Sequence, residues 1–262
     1  MTLTKKISLE VPKFTISDFK PRSMKYCLII PVINEGKKFK RVIASLKSYA
    51  SRIDIIVADG GSTDGSTEKR FLKLNGIKAL LIKKGEGKLG AQYRMAFLYA
   101  LNEGYPGVIT MDGNGKDDPE SIPDFINALD TGYDYIQGSR FIKGGKAINT
   151  PLIRWFAIRF IFSFLLSIAS GYLYTDVTNG HRAYSKKLIL HPKLKLFRNV
   201  FNSYEILFYI TARARRLRLK SIEIPVTRKY PKGKIPTKII GLKKMYNVFE
   251  TALKASTGFY NP

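Results

Sequence analysis

The chain has 262 residues, of which 45% are hydrophobic and 12% aromatic, a composition that is typical of a packed globular protein and excludes wholesale disorder. The single cysteine, Cys27, excludes a disulfide framework within the chain, and two histidines, His181 and His191, give poor support to a histidine-based zinc centre. Of the net charge of +25, most lies in the second half, where 24 of the 45 Lys and Arg but only 4 of the 20 Asp and Glu stand at or after Tyr135. That half is expected to face an anionic partner, whether phospholipid headgroups, a phosphate substrate or nucleic acid.

From Lys25 onward, short apolar runs alternate with longer amphipathic stretches. Predicted strands cover residues 26–32, 53–58, 79–82, 108–111 and 133–137. Predicted helices cover residues 37–49, 66–74 and 89–101, and another helix begins at Asp118-Pro119. This alternation predicts an α/β fold with a mostly parallel, doubly wound sheet flanked by helices. Such sheets bind ligands beyond the carboxyl ends of their strands.

The pattern divides the chain into three regions. Residues 1–23 mix Lys, Glu, Pro and Asp, which is not the pattern of a signal peptide, and we expect an N-terminal extension there. Residues 24–230 form the expected main domain, and residues 231–262 form a basic C-terminal tail.

The most apolar part of the chain is residues 156–174, within a wider segment 151–175. Its uninterrupted part, residues 160–169, is shorter than the ~20 residues that a membrane-spanning helix needs. A hydrophobic hairpin or an amphipathic interfacial helix fits this segment, with Arg154 and Arg159 reaching lipid headgroups. An ordinary buried helix and a true membrane span are the alternatives.

Polar residues follow the first two predicted strands, in loops that favour nucleotide binding. Pro31 ends the first strand, and Glu35 follows as a carboxylate able to accept hydrogen bonds from a ribose or a base. Asp59 ends the second strand and opens a glycine-rich turn that suits a nucleotide-sized pocket. Asp64 in the same loop is equally suited to capping the next helix.

Two further loops favour phosphate and cation binding. Lys88 stands at the start of a predicted helix, where backbone N–H groups and an ammonium suit a phosphate. Residues 111–120 follow the fourth strand and place several oxygen ligands close together. Such a run holds Mg²⁺ or Mn²⁺ against a diphosphate, and Asp112 is the ligand we expect first.

In order and spacing, these motifs resemble those of family 2 glycosyltransferases, particularly the dolichyl- and polyprenyl-phosphate mannose synthase-like branch. Residues 30–35 are similar to the first strand motif of that family, 57–64 to its VDDGSTD element and 112–114 to its Asp-x-Asp. Residues 138–145 are similar to its GSRY…GG loop, 176–183 to its D-x-x-x-G-F-R element, 223–228 to its last strand and Lys238 to its terminal Ser-Lys. The resemblance runs from about residue 25 to residue 241.

The resemblance implies a GT-A, Rossmann-like fold with membrane-associating C-terminal elements. It implies transfer of a hexose, with inversion, from a nucleotide-diphosphate sugar to a polyprenyl phosphate by a peripheral protein on the cytoplasmic face of the membrane. The residues expected to contact the nucleotide sugar are Pro31, Glu35, Asp59, Lys88 and Asp112. Those expected in catalysis are Asp112, Lys116, Arg140, Asp176 and Arg182. The acceptor phosphate is expected at Arg140, Arg154 and Arg228, and Mg²⁺ or Mn²⁺ at Asp112 and Asn114.

Two departures from the family pattern concern the cation. Asn114 stands at the second acid of Asp-x-Asp, and Lys116 stands where these synthases often carry a metal-binding Gln. An Asn ligates through its carbonyl but brings no charge, and a Lys ammonium could replace part of the electrostatic role of a metal. Asp117 or Asp118 could instead restore a carboxylate.

Other functions remain open at this point. A sugar hydroxyl is the alternative acceptor, and it would need a carboxylate base, for which Asp117, Asp118 and Asp176 are the candidates. The departures above also permit a catalytically weak relative. A nucleotidyltransferase would share the sheet and the diphosphate site but release pyrophosphate. Nucleic-acid binding is not expected, because the aromatic residues near 213–220 have the spacing of a core rather than of a stacking platform.

Overall fold

A large β-sheet forms the centre of the protein. The computed structural model describes residues 9–231 and 242–262. The strands are β1 Phe14–Asp18, β2 Cys27–Val32, β3 Asp54–Asp59, β4 Ala79–Lys83, β5 Gly107–Thr110, β6 Tyr135–Ser139, β7 Lys146–Ile148, β8 Arg182–Ser185, β9 Ser221–Pro225 and β10 Thr227–Lys229. Eight of them form one sheet in the order β1-β4-β3-β2-β5-β8-β6-β9, and β7 pairs with β10 in a second sheet.

Six strands of the large sheet point in the same direction: β2, β3, β4, β5, β6 and β9. The other two, β1 and β8, run antiparallel to their neighbours. The predicted mostly parallel α/β sheet is therefore confirmed. The carboxyl ends of the six strands meet at one edge of the sheet, here called the carboxyl edge, which is where ligands of such sheets bind.

Helices cover both faces of the sheet. They are α1 Gly36–Leu46, α2 Lys69–Leu74, α3 Leu89–Asn102, α4 Ile122–Asp130, α5 Leu152–Phe156, α6 Ser163–Ser170, α7 Lys186–Ile189, α8 Glu205–Arg213 and α9 Leu242–Ser256. Because side chains alternate along a strand, Leu28 and Ile30 pack with α1 and α4 on one face. Ile29 and Ile56 pack with α3 and α8 on the other face. The central strands are thus buried on both sides, which explains their continuous apolar runs.

Strand β1 lies within the region predicted as an N-terminal extension. It pairs antiparallel with β4, from Phe14 opposite Lys83 to Asp18 opposite Ala79. Lys78, with a side chain only 2% exposed, binds the Asp18 carboxylate at 2.8 Å. The predicted boundary at residue 24 is therefore wrong, because this strand forms the edge of the main sheet.

The predicted basic tail also joins the main domain. Helix α9 packs against α8 and α6, with Ala252 and Ala255 buried. Beyond the helix, the Tyr260 ring lies 6.2 Å from the Phe201 ring, centroid to centroid. The later part of the tail is thus part of the domain, and Lys238 lies outside the described residues.

The apolar segment is a single helix, so of the two forms predicted for it, a hairpin or an interfacial helix, the hairpin is wrong. Helix α5, a π-helical segment Ala157–Phe162 and α6 run without a break over Leu152–Ser170, here called the apolar helix. Gly171 ends it with a left-handed φ of +69°. By length and composition alone it is the one helix in the described residues that is long and apolar enough to cross a bilayer.

The apolar helix is mostly exposed, so the alternative of an ordinary buried helix is wrong. Its buried side chains are Ile158, Ser163, Leu166 and Ser170. The outward face carries large apolar side chains, among them Leu152 at 84% exposure, Ile153 at 75%, Phe156, Phe160, Phe164 and Ile168. An apolar face of this extent is unusual for a surface bathed only in water.

Candidate active site

Asp59, at the end of β3, is 1% exposed, and its own loop holds its carboxylate. One oxygen accepts from the Gly61 N–H at 3.0 Å and from the N–H and hydroxyl of Ser62 at 2.8 and 2.7 Å. The other accepts from the Thr67 hydroxyl at 2.8 Å. With both oxygens engaged, Asp59 shapes the predicted nucleotide loop from inside rather than lining it.

Asp64 and Asn34 tie this loop to the connection between β2 and α1. Asp64 accepts a hydrogen bond from the Gly36 N–H at 2.8 Å, and Asn34 accepts one from the Thr63 N–H at 2.8 Å. Glu68, not Asp64, caps α2. The two loops therefore form one preorganised unit at the carboxyl edge.

Three further residues lie around the loops that follow β2 and β3, two of them predicted to contact the nucleotide sugar. Pro31 is buried in β2, and Glu35 is partly exposed in the turn before α1. Gln92 of α3 lies beneath, and its amide donates to the carbonyls of Val32 at 2.9 Å and Ala58 at 2.7 Å. Sequence reasoning missed Gln92, because its helical position does not reveal that the amide joins two strand ends.

At the start of α3, where a phosphate site is predicted at Lys88, two backbone donors already have partners. The backbone N–H groups of Lys88 and Gly90 donate to the Asn202 carbonyl at 3.0 and 3.1 Å. Gly90 also packs so closely that an added Cβ would lie 2.3 Å from the Phe201 carbonyl oxygen. The segment around residue 202 thus uses two of the backbone donors at this helix start, while the Lys88 side chain is exposed.

Asp112 follows β5 and keeps a side chain that is 24% exposed. The Asn114 amide donates to Asp112 Oδ2 at 3.2 Å, and the Asn114 carbonyl accepts from the Lys116 N–H at 3.2 Å. Gly180 lies directly against the other oxygen, Asp112 Oδ1. A Cβ added at residue 180 would be only 2.5 Å from that oxygen. A glycine at 180 is therefore required for Asp112 to hold this position.

Arg228 forms ion pairs with the carboxylates of both Asp112 and Asp117. Its guanidinium donates to Asp112 Oδ2 at 2.9 Å and to Asp117 Oδ1 at 2.5 Å, and Arg228 is 7% exposed. Burial favours a raised pKa for both carboxyls, and it does raise that of Asp117. At Asp112 the positive charge of Arg228 outweighs burial and holds the pKa below its usual value. Arg228 therefore favours the ionised form of Asp112.

Three cationic side chains lie within 6 Å of the centre of the Tyr230 ring. Lys116 Nζ lies 5.2 Å from the ring centroid, Arg154 Cζ 5.4 Å and Arg228 Cζ 5.9 Å. Arg154 also donates to the Tyr230 hydroxyl at 3.3 Å. Burial would raise the pKa of Tyr230, but Arg228 and its neighbours lower it below the usual value. These four residues, Lys116, Arg154, Arg228 and Tyr230, are here called the Tyr230 cluster.

Sequence reasoning missed Tyr230, although a signal for it was present. It stands two residues after Arg228, and alternate residues of a strand point to the same face. The backbone continues the β10 pairing, since the Tyr230 N–H donates to the Ile148 carbonyl at 3.0 Å.

Arg140 and Asp176 form a buried ion pair beside this cluster. Arg140 donates to the two Asp176 oxygens at 2.6 and 2.8 Å, and both residues are at most 3% exposed. Burial would raise the pKa of Asp176, but Arg140 lowers it. The Glu223 carboxylate fixes this segment by accepting from the backbone N–H groups of Thr175 and Asp176. Asp176 is thus a partner of Arg140 and is not an open base.

The prediction of a catalytic role for Arg182 is wrong. Its guanidinium is fully buried and donates to the carbonyls of Val177, Asn179 and Leu207 at 2.6 to 2.9 Å. It also contacts the Tyr135 hydroxyl at 3.1 Å. Arg182 therefore joins β8, β6 and α8 inside the protein, since its donors are already used by the fold.

His181 is a buried neutral side chain behind Asp112. It is fully buried, its ring stacks on Phe125 at 4.3 Å, and its Nδ1 lies 3.4 Å from the Ser121 hydroxyl. Burial lowers its pKa to about 3. At neutral pH this histidine therefore carries no charge.

The donor set does not suit the divalent cation that the sequence predicts at Asp112 and Asn114. Arg228 already occupies Asp112 Oδ2 and Asp117 Oδ1, and Asn114 turns its N–H towards Asp112. In the described parts of the chain, no three His, Cys, Asp or Glu side chains are arranged to hold a metal ion. Mg²⁺ and Mn²⁺ need several oxygen ligands with negative charge, and here that charge is balanced by an arginine.

The structure therefore brings together most, but not all, of the predicted site. The residues that meet at the carboxyl edge are Asp112, Asn114, Lys116, Arg154 and Arg228, with Arg140 and Asp176 beside them. The model of the family described as glycosyl transferase family 2 matches residues 27–191. The chain belongs to glycosyl transferase family 2.

Two relatives of this glycosyltransferase extend over most of its length. It is similar to an undecaprenyl-phosphate mannosyltransferase of Micrococcus luteus, with 29% identity over 238 residues that cover 88% of this chain and 96% of the relative. It is also similar to a polyprenol monophosphomannose synthase of Mycolicibacterium smegmatis, with 28% identity and 76% of each chain covered.

A solved structure with the same fold is glucosyl-3-phosphoglycerate synthase from Mycobacterium tuberculosis, in complex with Mn²⁺, uridine diphosphate and phosphoglyceric acid. Its TM-score is 0.62 at 15% identity, and the match covers 90% of this chain and 78% of that one. This likeness shows the GT-A fold, and that enzyme binds a divalent cation within it.

Proposed function

We propose that this glycosyltransferase moves a hexose from a nucleotide-diphosphate sugar to the phosphate of a polyprenyl phosphate at the cytoplasmic face of a membrane. The names of the two relatives support the acceptor class. The observation that carries the proposal is the position of Arg154. This arginine stands in the first turn of the apolar helix, between exposed Ile153 and Trp155, and its guanidinium reaches Tyr230 in the site. The helix therefore joins an apolar surface directly to a group of cations.

A polyprenyl phosphate matches that arrangement. Its isoprenoid chain would lie along the exposed side chains of the apolar helix, and its phosphate would meet the Tyr230 cluster at the start of that helix. Arg154 and Arg228 are the arginines that we place against the phosphate, with Arg140 behind them. The donor would occupy the preorganised loops of β2 and β3, with Glu35 towards its ribose or base.

The reaction that this site supports is a single displacement. An oxygen of the acceptor phosphate attacks the anomeric carbon of the sugar as the bond from that carbon to the diphosphate oxygen breaks. The electron pair leaves with the nucleoside diphosphate, and the configuration at the carbon is inverted. A phosphate oxygen is already anionic near neutral pH, so the protein needs only to position the two substrates and stabilise the leaving charge.

Of the three carboxylates that could serve a sugar-hydroxyl acceptor as a base, two are held in ion pairs and the third caps a helical turn through one oxygen. Asp117 binds Arg228, Asp176 binds Arg140, and Asp118 accepts from the Glu120 N–H at 3.0 Å. A general base needs a free acceptor within reach of the hydroxyl proton. The site therefore favours an acceptor that arrives without a proton to remove.

Peripheral membrane attachment is part of the proposal. The inner face of the apolar helix packs on α8 and α9, while its outer face is apolar and Arg154 and Arg159 lie along it. A helix with one face held by the domain and the other exposed suits a position in the plane of the membrane interface.

The test compares acceptors that differ only in the phosphate. Transfer should occur to a polyprenyl phosphate and not to the neutral polyprenol of equal length. Arg154→Gln should raise the KM for the polyprenyl phosphate about tenfold, because one charge-assisted contact is lost, and leave the KM for the nucleotide sugar unchanged. Arg52→Gln, at an exposed arginine outside the site, is the matched control. Equal use of polyprenol, or an unchanged acceptor KM in Arg154→Gln, would contradict the proposal.

A further inference from the structure

The place on Asp112 that a metal ion would need is already filled by a protein cation. Arg228 reaches Asp112 Oδ2 at 2.9 Å and Asp117 Oδ1 at 2.5 Å, so one guanidinium bridges these two carboxylates. The remaining oxygen of Asp112 lies against Gly180, and the second Asp117 oxygen accepts from the Asp112 N–H at 3.3 Å.

A second cation stands in the same loop. Lys116 is held over the Tyr230 ring at 5.2 Å, and its backbone is fixed on both sides. Its N–H donates to Asn114 Oδ1 at 3.2 Å, and its carbonyl accepts from the Lys229 N–H at 2.8 Å. The ammonium is therefore positioned by the fold two residues beyond Asn114.

The balance of charge decides which ligand this loop favours. The two carboxylates of Asp112 and Asp117 are matched by Arg228 and Lys116, and Arg154 adds a further positive charge at the same ring. A divalent cation entering there would be repelled by fixed positive charges at close range, with little negative charge left to attract it. A diphosphate would meet the opposite conditions, because the three cations Lys116, Arg154 and Arg228 outnumber the carboxylates of Asp112 and Asp117.

We propose that Arg228 takes the place of a divalent cation on Asp112 and that Lys116 contacts the donor diphosphate, so that this chain binds its nucleotide donor without Mg²⁺ or Mn²⁺. The inference rests on the proposed function, since it assumes a nucleotide-diphosphate sugar as donor. It sets this chain apart from the glucosyl-3-phosphoglycerate synthase complex, which contains Mn²⁺.

The test is the binding of uridine and guanosine diphosphates to the purified chain, measured by calorimetry in EDTA, in Mg²⁺ and in Mn²⁺. For the wild type, the Kd of the nucleotide that binds should change less than about threefold among the three conditions. Lys116→Gln removes the charge that meets the diphosphate, so its binding in EDTA should weaken about tenfold or more. Lys116→Arg keeps the charge and should bind in EDTA.

Two controls make the result specific. Lys73→Gln removes the same charge from an exposed position on α2 and should bind as the wild type does. The wild type is also titrated with Mn²⁺ in the absence and in the presence of nucleotide, and Mn²⁺ binding is followed by electron paramagnetic resonance. We expect no Mn²⁺ site on the protein whose affinity increases when nucleotide is added.

Failure of this inference is distinct from failure of the proposed function. Wild-type binding that is lost in EDTA and restored by Mn²⁺ would overturn the inference and leave the glycosyltransferase proposal intact. Equal behaviour of Lys116→Gln and the wild type in EDTA would also overturn it. Absence of nucleotide binding under all three conditions would contradict both proposals.

Discussion

At the scale of single residues, the charged side chains of the site differ in the groups that they contact. Asp59 and Arg182 carry the residue types that catalysis requires, yet neighbouring backbone and hydroxyl groups engage them completely. Lys116 and Arg154 instead converge on one aromatic ring at the surface of the site. This difference separates positioning residues from those able to meet a substrate, and residue type alone does not reveal it.

His181 provides a prediction at this scale. The unfolded chain protonates a histidine near its usual pKa of 6.5, whereas the folded protein keeps His181 neutral until about pH 3. The unfolded state therefore binds more protons in between, and the free energy of unfolding should fall as the pH drops below 6.5. His181→Phe keeps the stack on Phe125 and should remove about 2 to 3 kcal/mol of that loss at about pH 4.5.

The measurement is urea unfolding of wild type and variant at neutral pH and at about pH 4.5. His191→Gln, at the other histidine, is the control for loss of a titrating group and should keep most of the acid sensitivity. An equal loss of stability in His181→Phe and in the wild type would show that His181 does not carry the effect.

At the scale of elements, the apolar helix is the element on which the proposed membrane attachment rests. Its inner side chains Ile158 and Leu166 are buried in the domain, and its outer ones are exposed over its whole length. Hydropathy along the sequence identified the segment, but not the choice among a hairpin, a buried helix and an exposed one. That choice depends on whether α8 and α9 cover one face or both, which is a matter of tertiary packing.

Membrane binding should respond to charge and to apolar contact separately. Binding to vesicles with anionic lipids should weaken in about 0.5 M salt but persist, because screening removes only the electrostatic contribution. The double variant Phe156→Glu, Phe160→Glu should weaken binding about a hundredfold even at low salt, because two large apolar side chains no longer enter the interface. Leu74→Glu changes an exposed leucine of α2 and is the matched control.

Vesicle sedimentation across a range of salt concentrations measures both effects. Complete release of the wild type by salt alone would contradict insertion of the apolar helix. Binding of the double variant equal to that of Leu74→Glu would contradict it as well.

At the scale of the whole molecule, the sequence predicts the central strands of the sheet well and the elements near the two ends of the chain poorly. All five predicted strands lie within two residues of observed ones, because continuous apolar runs between polar loops are typical of strands buried on both faces. Strand β1 was missed since Ile16 is half exposed and the strand is at the edge of the sheet. Helix α9 was missed because its segment is rich in lysine, and the residues that pack inward, such as Ala252 and Ala255, are small and give a weak apolar pattern.

In the site, contacts within one loop were predictable from the sequence, and contacts between distant parts of the chain were not. Motif spacing brought Asp112, Asn114 and Lys116 together, because these residues share one loop. The contact of Arg228 with Asp112 joins residues 116 positions apart, and that of Arg140 with Asp176 joins residues 36 apart. Such pairs follow from strand order, with β8 and β9 on either side of β6 and β10 next to β7, and no local pattern in the sequence contains that order.

The central claim is sugar transfer to a lipid phosphate at the Asp112 site, and one assay tests it directly. Purified protein is incubated with a panel of radiolabelled nucleotide sugars and a polyprenyl phosphate, and label is counted in the organic phase. We predict that label from at least one sugar enters that phase, and that Asp112→Ala lowers the rate about a hundredfold or more while the protein stays folded by circular dichroism. No transfer from any sugar to the lipid, or a fully active Asp112→Ala, would contradict the account.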